Sequence, residues 1–357
     1  MSKLDTAPYK GVRDFYPEDQ SILNYIFDKW REVAKSFGYV EYNASILEHS
    51  GIYKEKSGEE IVNDQTYTFI DRGDREVTLR PEMTPTVARM ITARRRELGY
   101  PLRWYSIPNI FRYESPQKGR LREHWQLNVD LFGVASLEAD VEIIEIAYRL
   151  MKDFDAKDGD FEIRLNDHSK KNGQLEEAVN RLKDRGISNT KIDTTLARGQ
   201  AYYTGIVFEV FDTNPENKRS LFGGGRYNNL TEIFGGEPLS AVGFGAGDVS
   251  LKSFLEARGL IPEYESTARL MILPLDKKYF EEANKLATVL RLNGVNVAID
   301  WTERKVGDEI KHADKQSIPY VLVLGEDEIK IKTYKIKNLR TGNEQKAKVE
   351  EIPGCVK

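Results

Sequence analysis

The chain has 357 residues, enough for two or three domains at roughly 100–200 residues each. Lys plus Arg numbers 53 and Asp plus Glu 57, a net charge of −4, and the 40% hydrophobic and 31% charged shares exclude wholesale disorder. The single cysteine, Cys355, excludes a disulfide framework and a cysteine zinc cluster, and no apolar run approaches the ~20 residues of a membrane span. The opening MSKLDTAPYK lacks the charged-then-apolar order of a secretory leader, so a reducing, cytoplasmic location is expected, with no membrane partner. From Ala268 to Lys357 there are 17 basic and 14 acidic residues, a net +3, which leaves −7 on the rest. Neither part is basic enough to announce nucleic acid.

Leu23, Ile26, Phe27, Trp30, Ala34 and Phe37 recur at helical spacing and predict a helix over 18–37, opened by Pro17-Glu18-Asp19 and stopped by Gly38. Residues 39–48 alternate as a strand, and 66–70 with 76–80 predict a hairpin across Asp71-Arg72-Gly73-Asp74. Thr84–Leu98 reads as a helix with Pro85 in its first turn. Strands are expected at Leu102–Ile107, Ile110–Glu114, Gln126–Phe132, 161–165, 203–211 and 241–245, an antiparallel-looking set. Ala139–Phe154 is a second long helix. Residues 167–174 carry no apolar side chain and read as a solvated connector before a short helix at 175–185. The mix of Gly, Pro and charge at 257–267 reads as a linker between domains. Beyond it, strands at Leu270–Leu275, Val295–Ile299 and Tyr320–Leu324 alternate with helices at Tyr279–Leu292 and 303–316. A hairpin is expected from Ile329–Asn338 and Gln345–Val349. That alternation predicts a small α/β domain over 268–357 with a mainly parallel sheet.

Chemistry concentrates in five stretches: 78–90, 111–130, 196–211, 222–229 and 240–248. Arg112 and Glu114 alternate on one strand face, and Gln126, Asn128 and Asp130 share a face of the next. Between them lies a basic loop with Lys118, Arg120 and Arg122. This strand–basic loop–strand arrangement suits an anionic ligand beside a cationic one, because the arginine fork binds phosphate bidentately. A charged hairpin in solvent reads equally well from those residues alone. Arg198-Gly199 before Tyr202 and Tyr203 adds another cation and two rings, which suit a core as well as a ligand wall. Gly223-Gly224-Gly225 and Gly243, Gly245 and Gly247 permit close backbone approach, though glycine runs are more often turns. There is no dinucleotide fingerprint and no P-loop.

Taken in order, Lys10-Gly11-Val12-Arg13-Asp14, LRPE (79–82), FRYE (111–114) with PQKGR (116–120), RG..YY (198–203) and GGGRY (223–227) resemble the histidyl-tRNA synthetases, a class II aminoacyl-tRNA synthetase family. The resemblance covers nearly the whole chain. It implies an α+β catalytic domain, an antiparallel sheet flanked by helices, over 1–256. A linker at 257–267 and an α/β anticodon-binding-like domain over 268–357 would follow. It also implies formation of histidyl-adenylate from L-histidine and ATP with Mg2+, transfer to the histidine tRNA, and a homodimer. Arg112 and Arg198 match catalytic arginines. Arg112, Glu114 and Arg120 match ATP-binding positions, with Arg226 a nearby cation. Glu82, Thr84, Gln126 and Asp130 match a polar cage for the substrate ammonium, with Tyr202 and Tyr203 the wall that meets the imidazole. Gln117 and Lys118 match the loop toward the tRNA acceptor end. No protein cage for a metal is implied. His49, His124, His168 and His312 match none of these roles and read as surface or core, and Trp125 reads as packing.

The chain departs from the family at several points. Ser45 stands where motif 1 usually has proline, and Ser115 replaces a motif 2 loop arginine. Gln200-Ala201 replaces an apolar residue and an aspartate, and Gly247-Asp248-Val249-Ser250 lacks the motif 3 arginine. The helical insertion domain is reduced to about 167–185, which leads us to expect weakened tRNA charging with adenylate formation intact. The competing reading is a catalytically impaired paralogue, a regulatory or binding module such as an ATP phosphoribosyltransferase regulatory subunit. Retention of the C-terminal domain speaks for the enzyme; the changes at 115, 200 and 201 speak for the paralogue.

Overall fold

The computed structural model describes residues 4–54, 65–117, 119–169, 173–196, 202–217, 219–302 and 304–356. It divides into two compact units, Met1–Pro262 and Glu263–Lys357.

In the first unit, α1 (Pro17–Ser36) has proline in its first turn, Glu18 and Asp19 at its positive end and Lys35 at its negative end. It buries Leu23, Ile26, Trp30, Val33 and Ala34, the face that the periodicity marks. Short strands β1 (Val40–Glu41) and β2 (Leu47–His49) follow, then the turn α2 (Gly51–Lys54). The hairpin β3 (Tyr67–Ile70) and β4 (Glu76–Leu79) pairs as expected, and β4 also pairs β2. Helix α3 (Thr84–Ala93) stops sooner than its apolar spacing suggests, because the Arg94 amide closes a tight turn onto Ile91.

The main sheet contains β5 (Leu102–Ser106), β6 (Asn109–Phe111), β7 (Glu123–Phe132), β8 (Phe161–Asp167), β9 (Thr190–Ile192), β10 (Ile206–Asp212), β11 (Ser220–Tyr227) and β12 (Ala241–Gly247). Its order is β1-β5-β7-β12-β11-β10-β8-β9, with β6 beside β7. The centre is antiparallel, but both edge pairs, β1–β5 and β8–β9, are parallel. Helices α4 (Leu137–Asp153) and α5 (Gln174–Asp184) pack with α1 and α6 (Asp248–Ala257) into one core with the sheet. Trp30, Tyr105, Phe154, Phe161, Phe208 and Phe254 are its largest fully buried members.

Besides the short turn α2, three elements of this unit escape sequence reading. Strand β11 reads as a glycine loop by composition, yet Gly223, Gly224 and Gly225 are all paired in the sheet. A Cβ on Gly224 would stand 2.0 Å from the Gly243 carbonyl oxygen, so only glycine lets the two backbones meet. Helix α6 hides behind an acidic start, but it buries Leu251, Phe254 and Leu255. Strand β9 is three residues long and half-exposed, too short to show a period.

The second unit contains β13 (Leu270–Pro274), α7 (Phe280–Leu292), β14 (Val297–Ile299), α8 (Val306–Lys315), β15 (Tyr320–Leu324), α9 (Glu326–Ile331), β16 (Tyr334–Asn338), β17 (Glu344–Ala347) and α10 (Ile352–Cys355). The sheet order is β14-β13-β15-β16-β17, parallel over the first three strands and antiparallel over the rest. The expected strand from Ile329 begins instead at Tyr334. Residues 326–331 form a helical turn because Glu326, Asp327 and Glu328 favour its positive end and Glu328 Oε2 accepts the Gly325 amide at 3.0 Å.

Candidate active site

A groove crosses one face of the main sheet, and its floor follows from strand register. On β7, alternation sends Gln126, Asn128 and Asp130 to one face. Across β12 and β11 the residues paired with them are glycines: Asp130 faces Gly243, which faces Gly225, and Asn128 faces Gly245, which faces Gly223. The next strand supplies Val207 and Glu209. The result is a trough bare of side chains, with polar groups along its β7 bank.

The bank leans over the trough. A Cβ on Gly243 would lie 2.1 Å from Asp130 Oδ1, and one on Gly245 would lie 2.8 Å from Gln126 Nε2. Each glycine is the space that a neighbouring polar side chain occupies.

At one end the groove narrows into a cleft bounded by Glu82, Thr84, Arg112, Gln126, Asn128, Asp130, Tyr202, Tyr203 and Tyr227. Glu82 comes from the turn into α3, and Thr84 is the first residue of that helix. Tyr202 Oη donates to Glu82 Oε2 at 3.1 Å, so the ring both lines the cleft and braces the carboxylate. Tyr202 contacts the rings of Tyr203 and Tyr227 at 4.9 and 5.6 Å. Asp130 is 3% exposed and accepts from Tyr227 Oη at 2.5 Å. Burial pushes its carboxyl up to about 7, only partly offset by that hydrogen bond.

At the other end the groove opens beside Arg112, Glu114, Arg120, His124, Glu209, Arg219, Ser220 and Ser250. Arg112, Gln126 and Gly245 border both ends, so the two are one groove with Arg112 at the junction. Arg112 Nε donates to the Pro81 carbonyl oxygen at 2.9 Å. That bond fixes the guanidinium, while its terminal nitrogens have no hydrogen-bond partner among the described residues. Glu114 is buried and pairs with Arg120 at 2.7 Å. Burial, then Arg112 and Arg13, push the His124 imidazole down to about 3, so it is neutral throughout the physiological range.

The N-terminal segment backs this end. Gly11 O accepts the amides of Arg122 and Glu123, and Gly11 takes a left-handed φ of +87° against the Arg122 side chain. Arg13 pairs with buried Asp248 at 2.8 Å, and Asp248 Oδ1 accepts the Trp125 amide. Trp125 meets Phe15 edge-on at 5.3 Å and packs rather than facing the groove.

The groove thus gathers Glu82, Thr84, Arg112, Glu114, Arg120, Gln126, Asp130, Tyr202 and Tyr203. Gln117 sits on the exposed loop turn opposite Arg120. Arg226 is a correction. It lies three residues from Gly223 on β11, so alternation sends it to the opposite face. There it is 6% exposed and spends its donors on Asp140, Ser240 and the carbonyls of Val134 and Ser136. All five N–H groups are engaged, so none is left for a nucleotide. Arg198 and Lys118, like Gln200 and Ala201, lie outside the described residues. Sequence reading put Asn128 on the face of Gln126 and Asp130 without a site role, read His124 as surface or core, and missed Tyr227, Glu209 and Arg219. Period-two alternation with Gln126 and Asp130 was enough to include Asn128.

Among the described residues no group of three or more His, Cys, Asp or Glu side chains is arranged to hold a metal ion. No helix among them is long and apolar enough to cross a membrane.

Comparison with known proteins gives a consistent picture. The histidyl-tRNA synthetase family pattern matches residues 11–168 and 162–249, and an anticodon binding domain pattern matches 269–357. The chain is 39% identical to a histidine–tRNA ligase of Leptospira biflexa, covering 96% of this chain and 95% of the relative. It is 32% identical to the Thermoplasma volcanium histidine–tRNA ligase over 94% of this chain and 95% of the relative. The match to the Leptospira protein runs over 415 positions, more than the 357 residues here, so that relative carries residues this chain lacks. The fold is similar to that of apo histidyl-tRNA synthetase from S. aureus, with a TM-score of 0.86 and 28% identity over 99% of this chain and 100% of that one.

Proposed function

The chain belongs to the histidyl-tRNA synthetase family, and from that premise we propose that the narrow end of the groove holds histidine and the open end ATP, with the reacting atoms at Arg112. As a histidine–tRNA ligase it activates histidine with ATP and passes the histidyl group to tRNA. One observation supports the assignment of the ends: a cleft with two buried carboxylates runs into an arginine-bordered groove past Arg112, Gln126 and Gly245, which border both.

Histidine brings a cationic ammonium and an imidazole. Glu82, Thr84 and Gln126, near the junction, suit the ammonium, because a desolvated cation needs charged or polar acceptors. Asp130 sits among Tyr202, Tyr203 and Tyr227 and suits the imidazole N–H. A carboxyl poised near 7 is easily restored to its charged form by such a donor. The substrate carboxylate would then lie toward Arg112 and attack the α-phosphate of ATP, with pyrophosphate leaving toward Arg120. Negative charge builds on the phosphoryl oxygens in that step, and the fixed guanidinium of Arg112 is already aimed. Arg198 would supply the second cation on the family pattern. Magnesium would travel on the triphosphate oxygens, its ordinary arrangement, and Glu209 on the groove floor offers a hard oxygen ligand.

The match to anticodon binding domains supports tRNA contact by the second unit. Exposed Val40, Leu47, Phe69 and Ile70 on β1, β2 and β3 support a homodimer through that side.

The test is ATP–pyrophosphate exchange with each of the twenty amino acids. Exchange with histidine alone is expected, whereas none with any amino acid rejects adenylate formation and points to a silent paralogue. Aminoacylation as efficient as in the longer Leptospira relative would refute the expectation of weakened charging.

A further inference from the structure

The open end of the groove has a cation that neither motif 2 nor the RG..YY segment provides. Arg219 immediately precedes β11 and borders the groove together with Gly119, Arg120 and Ser250. Its Nη2 donates to Gln117 Oε1 at 3.0 Å, and its other donors have no partner among the described residues. Gln117 and Arg120 pair across the loop turn, so Arg219 is tied to the loop that carries Arg120.

The need for such a cation follows from position 250. Strand β12 runs straight into α6 at Gly247-Asp248, and the first turn of that helix carries serine at 250 and no arginine. The Ser250 hydroxyl does not project to a ligand; it donates to the Leu221 carbonyl oxygen at 2.7 Å, two residues from Arg219. A short side chain at 250 thus pins α6 to β11 and leaves the groove wall at that point to Arg219. Of the other arginines, Arg112 sits at the junction with the cleft, Arg120 already pairs with Glu114, and Arg226 is committed behind the sheet. A triphosphate carries several charges and is best met by more than one planar, bidentate donor.

We infer that Arg219 binds the pyrophosphate portion of ATP, at the stretch of groove wall that the short Ser250 side chain leaves open. The inference rests on the nucleotide reading of the open end. Arg219 contacts the leaving group and is joined to the Arg120 loop through Gln117, so it acts on ATP and pyrophosphate and not on histidine.

The test uses the full chain. Equilibrium binding of inorganic pyrophosphate and of ATP is measured by calorimetry for wild type, Arg219→Ala and Arg219→Lys. Exchange kinetics with histidine follow. Arg219→Ala should weaken pyrophosphate binding and raise the KM for ATP about tenfold or more, the loss of a charge-assisted contact. The KM for histidine should stay within about twofold. Arg219→Lys should recover part of the loss, keeping the charge without the fork. If wild type binds both ligands and Arg219→Ala binds them as tightly, the role of Arg219 is overturned while the groove keeps its nucleotide. If Arg219→Ala raises the KM for histidine as much as that for ATP, Arg219 is a general prop of the site and the inference also falls. If wild type binds neither pyrophosphate nor ATP, the nucleotide reading fails first and the inference with it.

Discussion

The two ends of the groove are built by opposite means. The cleft end is made by the sheet itself: register sets three polar side chains on one bank, glycines clear the floor, and Asp130 is buried against Tyr227. The open end is made of exposed arginines on a loop and at a strand end, Arg120 and Arg219, over a small number of buried anchors. A site made from the core shares the fold's stability. One made from surface side chains gains or loses affinity without touching it. The small, rigid substrate would meet the first kind of wall and the long, flexible one the second.

That contrast sets the expected effects. Arg112→Ala belongs to both ends and should fall hardest, reducing the histidine-dependent exchange rate by about 10²–10³-fold or more, the usual cost of one positioned donor to developing charge. A loss under tenfold would remove it from the reacting centre. Asp130→Asn should raise the KM for histidine by about 10- to 100-fold with the KM for ATP unchanged; equal effects on both would merge the two ends. The same substitution carries a pH signature. Burial lifts the Asp130 carboxyl to about 7 in the folded chain, against about 4 when unfolded. The folded state therefore holds the extra proton between those values. Its contribution to stability is fully present below about pH 4 and is lost as pH rises through 7. Thermal melts from pH 5 to 8 should show wild type declining more steeply than Asp130→Asn, and parallel profiles would show that Asp130 titrates normally.

Gly243→Ala drives a methyl group to 2.1 Å from Asp130 Oδ1. It should cost about 1–3 kcal/mol of stability by overpacking and raise the KM for histidine before that for ATP. An unshifted melting temperature would mean that the bank can move aside. Arg120→Ala breaks an exposed arginine's pair with Glu114 and should be the mildest for the fold. The KM for ATP should rise about tenfold, with a stability loss of about 1 kcal/mol, because only the arginine half of the pair is exposed and Glu114 is buried. A large drop in melting temperature would erase the distinction between the ends.

Legibility in the sequence follows the same division. Helices α1 and α4, the hairpin β3–β4 and the parallel strands of the second unit carry strong periods and were readable. Strand β11 was not, because a strand of glycines is defined by what its neighbours need and not by its own propensities. Residues of the cleft came from motif matches, and the cleft gathers Glu82, Thr84, Gln126 and Asp130. Arg226 was misplaced for the same reason that β11 was missed. Once GGGRY is a strand, parity sends Arg226 to the far face, where its pair with Asp140 is worth about 3–5 kcal/mol to break. Arg219 and His124 depend on long-range packing that no local pattern encodes.

The segment ahead of α1 has a consequence of its own. Gly11 and Arg13 clip this segment onto Arg122 and Asp248, which belong to the two stretches beside the open end of the groove. Residues 11–13 are therefore a belt behind the groove. Trimming or tagging designs that cut beyond Tyr9 would leave every helix in place and yet unbuckle motif 2 from the α6 turn.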